Sequence, residues 1–162
     1  MTELLRSGGC QCGAVRFRTR GQLGRASICH CRMCQKAFGG FFGPLVSAPN
    51  EGPEAGIEWT RGEPKYYQSS VNIDRGFCGE CGTPLTYRHP QGLELSIGAF
   101  DNRDDLVPKI QVNFDSHIPW VTEIFDAPKR ASADDVVTQE MIISFQHPDH
   151  DTEIWPEKGL HL

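Results

Sequence analysis

Seven cysteines in three tight groups constrain this chain more than any other feature: Cys10-Gln11-Cys12, Cys29-His30-Cys31-Arg32-Met33-Cys34 and Cys78-Gly79-Glu80-Cys81. Residues 1–9 lack the apolar core of a signal peptide and no apolar run reaches transmembrane length, so a cytoplasmic protein without membrane attachment is expected. In a reducing compartment thiols stay free, and an odd number cannot pair off completely, which argues against a disulfide framework. Metal ligation is the leading use, with nucleophilic or redox chemistry of free thiols beside it. A structural zinc takes four protein ligands in a tetrahedron, whereas a catalytic zinc takes three and keeps one position open. Seven divides naturally into four and three.

The first and third groups each supply two sulfurs and each run into a glycine, Gly13 or Gly82, which permits a tight turn with amide hydrogens directed at thiolate sulfur. They are expected to share one structural zinc on Cys10, Cys12, Cys78 and Cys81. The two-residue spacer of residues 78–81 is that of a zinc knuckle. An extended Cys10-Gln11-Cys12 would set both sulfurs on one side of the chain. The middle group carries three sulfurs within six residues and makes a site of its own, on Cys29, Cys31 and Cys34. By alternation His30 points away from Cys29 and Cys31 and reads as a packed histidine. The competing reading is a second stabilising zinc completed by His30, His89 or His117.

Secondary structure is expected to be mainly β. Gly occupies 17 positions and Pro 11, which favours turns over long helices. Val15, Phe17 and Thr19 alternate with Arg16, Arg18 and Arg20, the period of a half-buried strand. The runs at 42–46, 65–68, 93–97, 110–114 and 121–125 read as further strands of twisted antiparallel sheets. Residues 31–38 are the best short helix, stopped by Gly39-Gly40. A helix beginning near Cys31 would set the thiols of Cys31 and Cys34 at its positive end with Arg32 alongside, favouring ionised sulfur. Residues 50–56 are a loop. The segment from 129 to 162 changes character and is expected to pack on the domain of residues 1–128 or on a partner subunit; a homodimer is left open. Within it, His147-Pro148-Asp149-His150-Asp151 reads as a solvated tail.

Net charge is −5, yet residues 1–36 hold seven basic side chains against Glu3, with the acidic excess downstream. A basic and an acidic face are one reading and ordinary solvated strand faces the other. Nucleic-acid binding through Arg16, Arg18 and Arg20 is disfavoured by the negative total. Phe41, Phe42, Trp59, Tyr66, Tyr67 and Trp120 read first as core or pocket wall.

In motif order, residues 9–16, 29–36, 66–70 and 75–85 resemble the glutathione-dependent formaldehyde-activating enzyme family, which includes centromere protein V. The resemblance covers roughly residues 8–125. It implies a β-tent fold with one or two short helices, a structural zinc on the first and third cysteine groups and a catalytic zinc on the middle one. It also implies glutathione as thiol partner, with carbon-sulfur bond formation or cleavage as the reaction, as in making S-(hydroxymethyl)glutathione from formaldehyde. Arg32 and Lys36 would attract the carboxylates of glutathione, and Trp120 lies in a segment that fits the family. One departure is Lys109-Ile110, where the family often has His-Ile; another is the segment after Pro128, which has no counterpart. An all-sulfur site is electron-rich, which favours thiol chemistry over water activation. The alternative function is a zinc-stabilised binding module without catalysis.

Overall fold

The computed structural model describes residues 4–50, 56–131 and 144–155. Ten strands and, among the described residues, one α-helix follow in chain order: β1 (Leu5–Gly9), β2 (Arg16–Arg20), β3 (Ala26–Cys29), α1 (Arg32–Phe38), β4 (Gly43–Ser47), β5 (Gly56–Arg61), β6 (Lys65–Ser70), β7 (Ile73–Phe77), β8 (Pro84–His89), β9 (Gly92–Ser96) and β10 (Ile110–Val112). They form a three-stranded sheet, β1-β2-β5, and a seven-stranded sheet, β10-β3-β4-β9-β8-β7-β6. This is the mainly β architecture expected, with one addition. β10 runs parallel to β3, pairing Ile110 with Ser27 and Val112 with Cys29, whereas every other pairing is antiparallel. No helix among the described residues is long and apolar enough to cross a membrane.

The core lies between the sheets. Phe17 of β2 is fully buried, with Phe100 edge-on at 5.2 Å and Trp59 edge-on at 5.9 Å, the geometry favoured by the opposed charge of ring face and ring edge. From the large sheet, Val46 and Leu95, opposite one another in register, enter the same core. Residues opposite each other across antiparallel strands share a face, and neighbours along a strand alternate. The other face of the large sheet therefore carries Ser27, Cys29 and Leu45, and against it α1 packs.

Three expectations are corrected. Residues 121–125 form no strand: Pro119, with no N–H to give a ladder, opens a 3₁₀ turn, Pro119–Thr122, followed by another, Ile124–Asp126. Three of the N-terminal arginines, Arg6, Arg16 and Arg18, pair with acidic residues instead of sharing an open basic face. Arg16 is buried and donates to Asp101 at 2.8 and 2.5 Å and to Asp151 at 3.1 and 2.9 Å, while Arg18 donates to Asp151 at 2.9 and 2.7 Å. Arg6 pairs with Asp105. Asp151, from the acidic C-terminal part expected on a separate face, is drawn onto Arg16 and Arg18, because a guanidinium inside the fold must find anionic acceptors.

The third correction concerns residues 147–151, which are docked rather than solvated. The His147 amide donates to the Gln11 carbonyl at 2.8 Å and the ring is buried. Trp155 Nε1 donates to the Cys12 carbonyl, and Arg61 donates to the Thr152 hydroxyl at 3.1 Å. Residues 132–143 and 156–162, within the segment expected as an extension, lie outside the described residues, as does most of the 50–56 loop.

Because Arg16 is buried, truncating Asp101 leaves two of its N–H donors unpaired, with Asp151 as the remaining anionic acceptor. Asp101→Ala is expected to cost about 1–3 kcal/mol, read as a fall in the urea midpoint at unchanged m-value.

Candidate metal centre

The four-cysteine cluster is built from two turns. Cys10 to Cys12 is a turn rather than the extended clamp expected: the Gly13 amide donates to the Cys10 carbonyl at 3.1 Å and the Val15 amide to Cys10 Sγ at 3.2 Å. A turn satisfies sulfur with backbone donors, which an extended strand would spend on its ladder. After β7 the second turn repeats the design. The Gly82 amide donates to the Cys78 carbonyl at 2.9 Å, and the Glu80 amide to Cys78 Sγ at 3.4 Å. Both turns end in left-handed backbone, Gly13 at φ 79° and Gly82 at φ 77°, where a Cβ is disfavoured.

Sulfur separations test the fit to a metal. Cys10 and Cys12 are 3.6 Å apart and Cys12 and Cys78 3.8 Å; four bonds of about 2.3 Å in a tetrahedron require edges of about 3.8 Å. Metal-free thiols here are not uniformly ionised. Burial pushes Cys10 up to about 11 and Cys12 higher still. Burial also opposes ionisation of Cys81, but hydrogen bonds from the Thr83 hydroxyl and amide prevail and bring it down to about 6. Four thiolates with all sulfurs within 4.8 Å repel one another unless a cation sits among them.

The three-cysteine cluster lies on the outer face of the large sheet. Cys29 ends β3, Cys31 is the N-cap of α1 and Cys34 lies in the first turn. Cys31 Sγ accepts from the Cys34 amide at 3.4 Å, and Gly39 closes α1 at φ 60°. The other sulfurs draw donors from distant segments: Asn113 Nδ2 reaches Cys29 Sγ at 3.4 Å and Arg75 Nη2 reaches Cys34 Sγ at 3.5 Å. The Cys34 thiol's hydrogen bond holds the Cys29 thiol down to about 5, aided by the Cys31 amide and Asn113 against burial. Cys34 is raised correspondingly, as the proton donor of the pair and by burial, with Arg75 opposing.

No described His, Asp or Glu joins the three sulfurs within 4.8 Å. His30 is buried, as its alternation implied, with Nε2 at 2.8 Å from Gln111 Oε1. His117 stacks on Phe114, its ring 4.2 Å away and nearly parallel, and His89 Nδ1 is 2.9 Å from Gln91 Oε1.

Two clefts flank this cluster. One, of about 410 Å³, brings together Arg32, Lys36 and Arg75 with Tyr67. The other, of about 300 Å³, is lined by Cys29 and Cys34 with Arg25, Tyr87, Glu94 and Asn113. Trp120 lines neither cleft; about half exposed, it meets Phe41 edge-on at 4.8 Å. Arg75 and Asn113 are the donors to the cluster's sulfurs that spacing did not single out. For Arg75 the available signal was a lone cation within the strand run Ile73-Asp74-Arg75-Gly76-Phe77; for Asn113 there was none in the local pattern.

No curated protein matches the chain. A crystal structure of a Rhodobacter sphaeroides protein, solved as a structural genomics target, is similar at 19% identity and a TM-score of 0.48, covering 65% of this chain and 99% of that one. The sequence profile of the family described as glutathione-dependent formaldehyde-activating enzyme matches residues 5–116, a span that holds both cysteine clusters and all ten strands. The chain belongs to the glutathione-dependent formaldehyde-activating enzyme family.

Proposed function

We propose that this protein is a zinc-dependent carbon-sulfur lyase acting on glutathione adducts, with S-(hydroxymethyl)glutathione formed from formaldehyde and glutathione as the reference reaction. The observation that carries the reading is a three-thiol cluster, without a fourth ligand among the described residues, bordering a cleft on the outer face of the sheet. Cys10, Cys12, Cys78 and Cys81 would hold a structural zinc, and Cys29, Cys31 and Cys34 a catalytic one. When bound at the three cysteines, zinc supplies positive charge that favours the thiolate form of a substrate thiol beside it.

The chain's own residues do the rest. Arg75, Asn113 and the Cys34 amide each donate to one sulfur, fixing the three side chains and drawing off negative charge. Arg32 and Lys36 attract carboxylate. In the forward direction the glutathione S–H bond is lost, a sulfur-carbon bond forms at formaldehyde, and the carbonyl π pair moves to oxygen, which takes up a proton. The reverse reaction breaks the same bond.

The adduct also forms uncatalysed, so the test is acceleration. Exchange between free and glutathione-bound formaldehyde, measured by two-dimensional NMR with zinc-loaded protein, should exceed the protein-free rate in proportion to protein concentration. No acceleration with hydroxymethyl or other glutathione adducts would favour the binding module instead. A second prediction isolates Arg75. Arg75→Met should weaken metal at the three-cysteine site by about 10–100-fold in chelator competition, leaving the four-cysteine site unaffected.

A further inference from the structure

The cleft that holds Cys29 and Cys34 contains charges the proposed chemistry does not use. Register places them. Across β6, β7, β8, β9 and β4 the opposed residues Tyr67, Arg75, Tyr87, Glu94 and Ser47 form one cross-strand row, and opposed residues share a face. Arg75 in that row touches Cys34 Sγ, so the row lies on the cysteine side of the sheet. Tyr87 sits under the Arg75 guanidinium, 4.9 Å from its ring centre. Glu94 is next along, half-buried, with no hydrogen bond or ion pair to its carboxylate among the described residues. Burial pushes its carboxyl up from the usual range, with His89 and Arg25 opposing. Arg25, just before β3, lines the same cleft, as does His89.

The two clefts beside the cysteines therefore differ in charge pattern. The Arg32, Lys36 and Arg75 cleft is cationic, with no acidic residue in its lining; the other presents an anion, Glu94, together with a cation, Arg25. Glutathione is asymmetric in the same way about its thiol. Its glycyl end is a single carboxylate, and its γ-glutamyl end carries an ammonium and a carboxylate on one carbon. The reverse placement would set the glycyl carboxylate against Glu94 and the ammonium among three cations, both repulsive.

Resting on the glutathione reading above, we infer that Glu94 and Arg25 form an α-amino-acid subsite in which Glu94 takes the γ-glutamyl ammonium and Arg25 its carboxylate. The tripeptide then lies across the three-cysteine cluster with its thiol in the middle and its glycyl carboxylate toward Arg32 and Lys36. Selectivity follows: ligands with a free α-amino group at that end are preferred over those without one.

Calorimetric titration of the zinc-loaded protein with glutathione and with deamino-glutathione, which lacks only the ammonium, tests this. The unsubstituted protein should bind glutathione about tenfold more tightly, the scale of one hydrogen bond to a charged group. Glu94→Gln should erase that preference by weakening glutathione alone, and Arg25→Gln should weaken both ligands. Melting curves confirm that each variant is folded. Equal binding of the two ligands by the unsubstituted protein, or equal weakening of both by Glu94→Gln, overturns the subsite while leaving the glutathione reading intact. No binding of either ligand to the unsubstituted protein overturns that reading and the subsite with it.

Discussion

Cys31→Ser protein, purified beside the unsubstituted chain without chelator, will carry one zinc per chain where the parent carries two, and its exchange of formaldehyde with glutathione will fall to the uncatalysed rate. The position suits the test because Cys31 has two separable jobs. As N-cap it accepts the Cys34 amide, and serine is a strongly preferred cap that keeps this bond, so α1 and the fold persist. As a ligand in the proposed site it would supply one of three thiolates, and a neutral hydroxyl is a poor substitute for soft sulfur. Elemental analysis and circular dichroism read the two jobs separately. Full turnover in a folded, one-zinc variant would falsify the catalytic assignment of the middle cluster.

Loss of a ligand from the other cluster will act on the fold itself. Cys78→Ser removes a fully buried sulfur that stands 3.8 Å from Cys12, across 66 residues of chain. Binding of a structural zinc is worth about 10–16 kcal/mol in small zinc domains, as large as the whole stability of an ordinary domain, about 5–15 kcal/mol. Here a substantial core shares the work, so part of that loss is tolerated. The expected result is nonetheless severe. At about 2–4 °C per kcal/mol for a chain of this size, even a few kcal/mol lowers the melting temperature by roughly 10 °C, and expression in insoluble form is the stronger outcome. Melting within 2 °C of the parent would show that the four cysteines hold no metal of structural consequence. The contrast between Cys31→Ser and Cys78→Ser thus separates the two clusters by phenotype.

The division of the cysteines was legible from the chain because ligand chemistry is local: spacing of one or two residues and a following glycine identify a knuckle without knowledge of the fold. The α1 boundaries were legible for the same reason, Gly39 being the residue that tolerates φ 60° at the stop. What escaped was non-local. Arg75 and Asn113 reach their sulfurs over 41 and 84 residues, and nothing near either one marks its partner. The parallel β3–β10 pairing escaped likewise, since a three-residue strand leaves almost no periodic trace. The Cys10 to Cys12 turn was misjudged because alternation and turn formation give the same ligand spacing, and only the amide directed at Cys10 Sγ distinguishes them. Charge sums misled at Arg16, whose burial depended on acidic partners 85 and 135 residues away.

The docking of residues 144–155 onto the first cysteine turn gives the four-cysteine centre a timetable. A ribosome delivers about 5–20 residues per second, so Cys10 and Cys12 wait on the order of ten seconds for Cys78 and Cys81 to follow. The covering piece comes later still. His147 fills the space that a side chain at residue 13 would need, a Cβ there falling 2.1 Å from its Cδ2. Until it arrives, the first two thiols are open to oxidation and to competing soft metals. Newly made chains should therefore be most vulnerable to copper and peroxide during synthesis, and finished ones far less so.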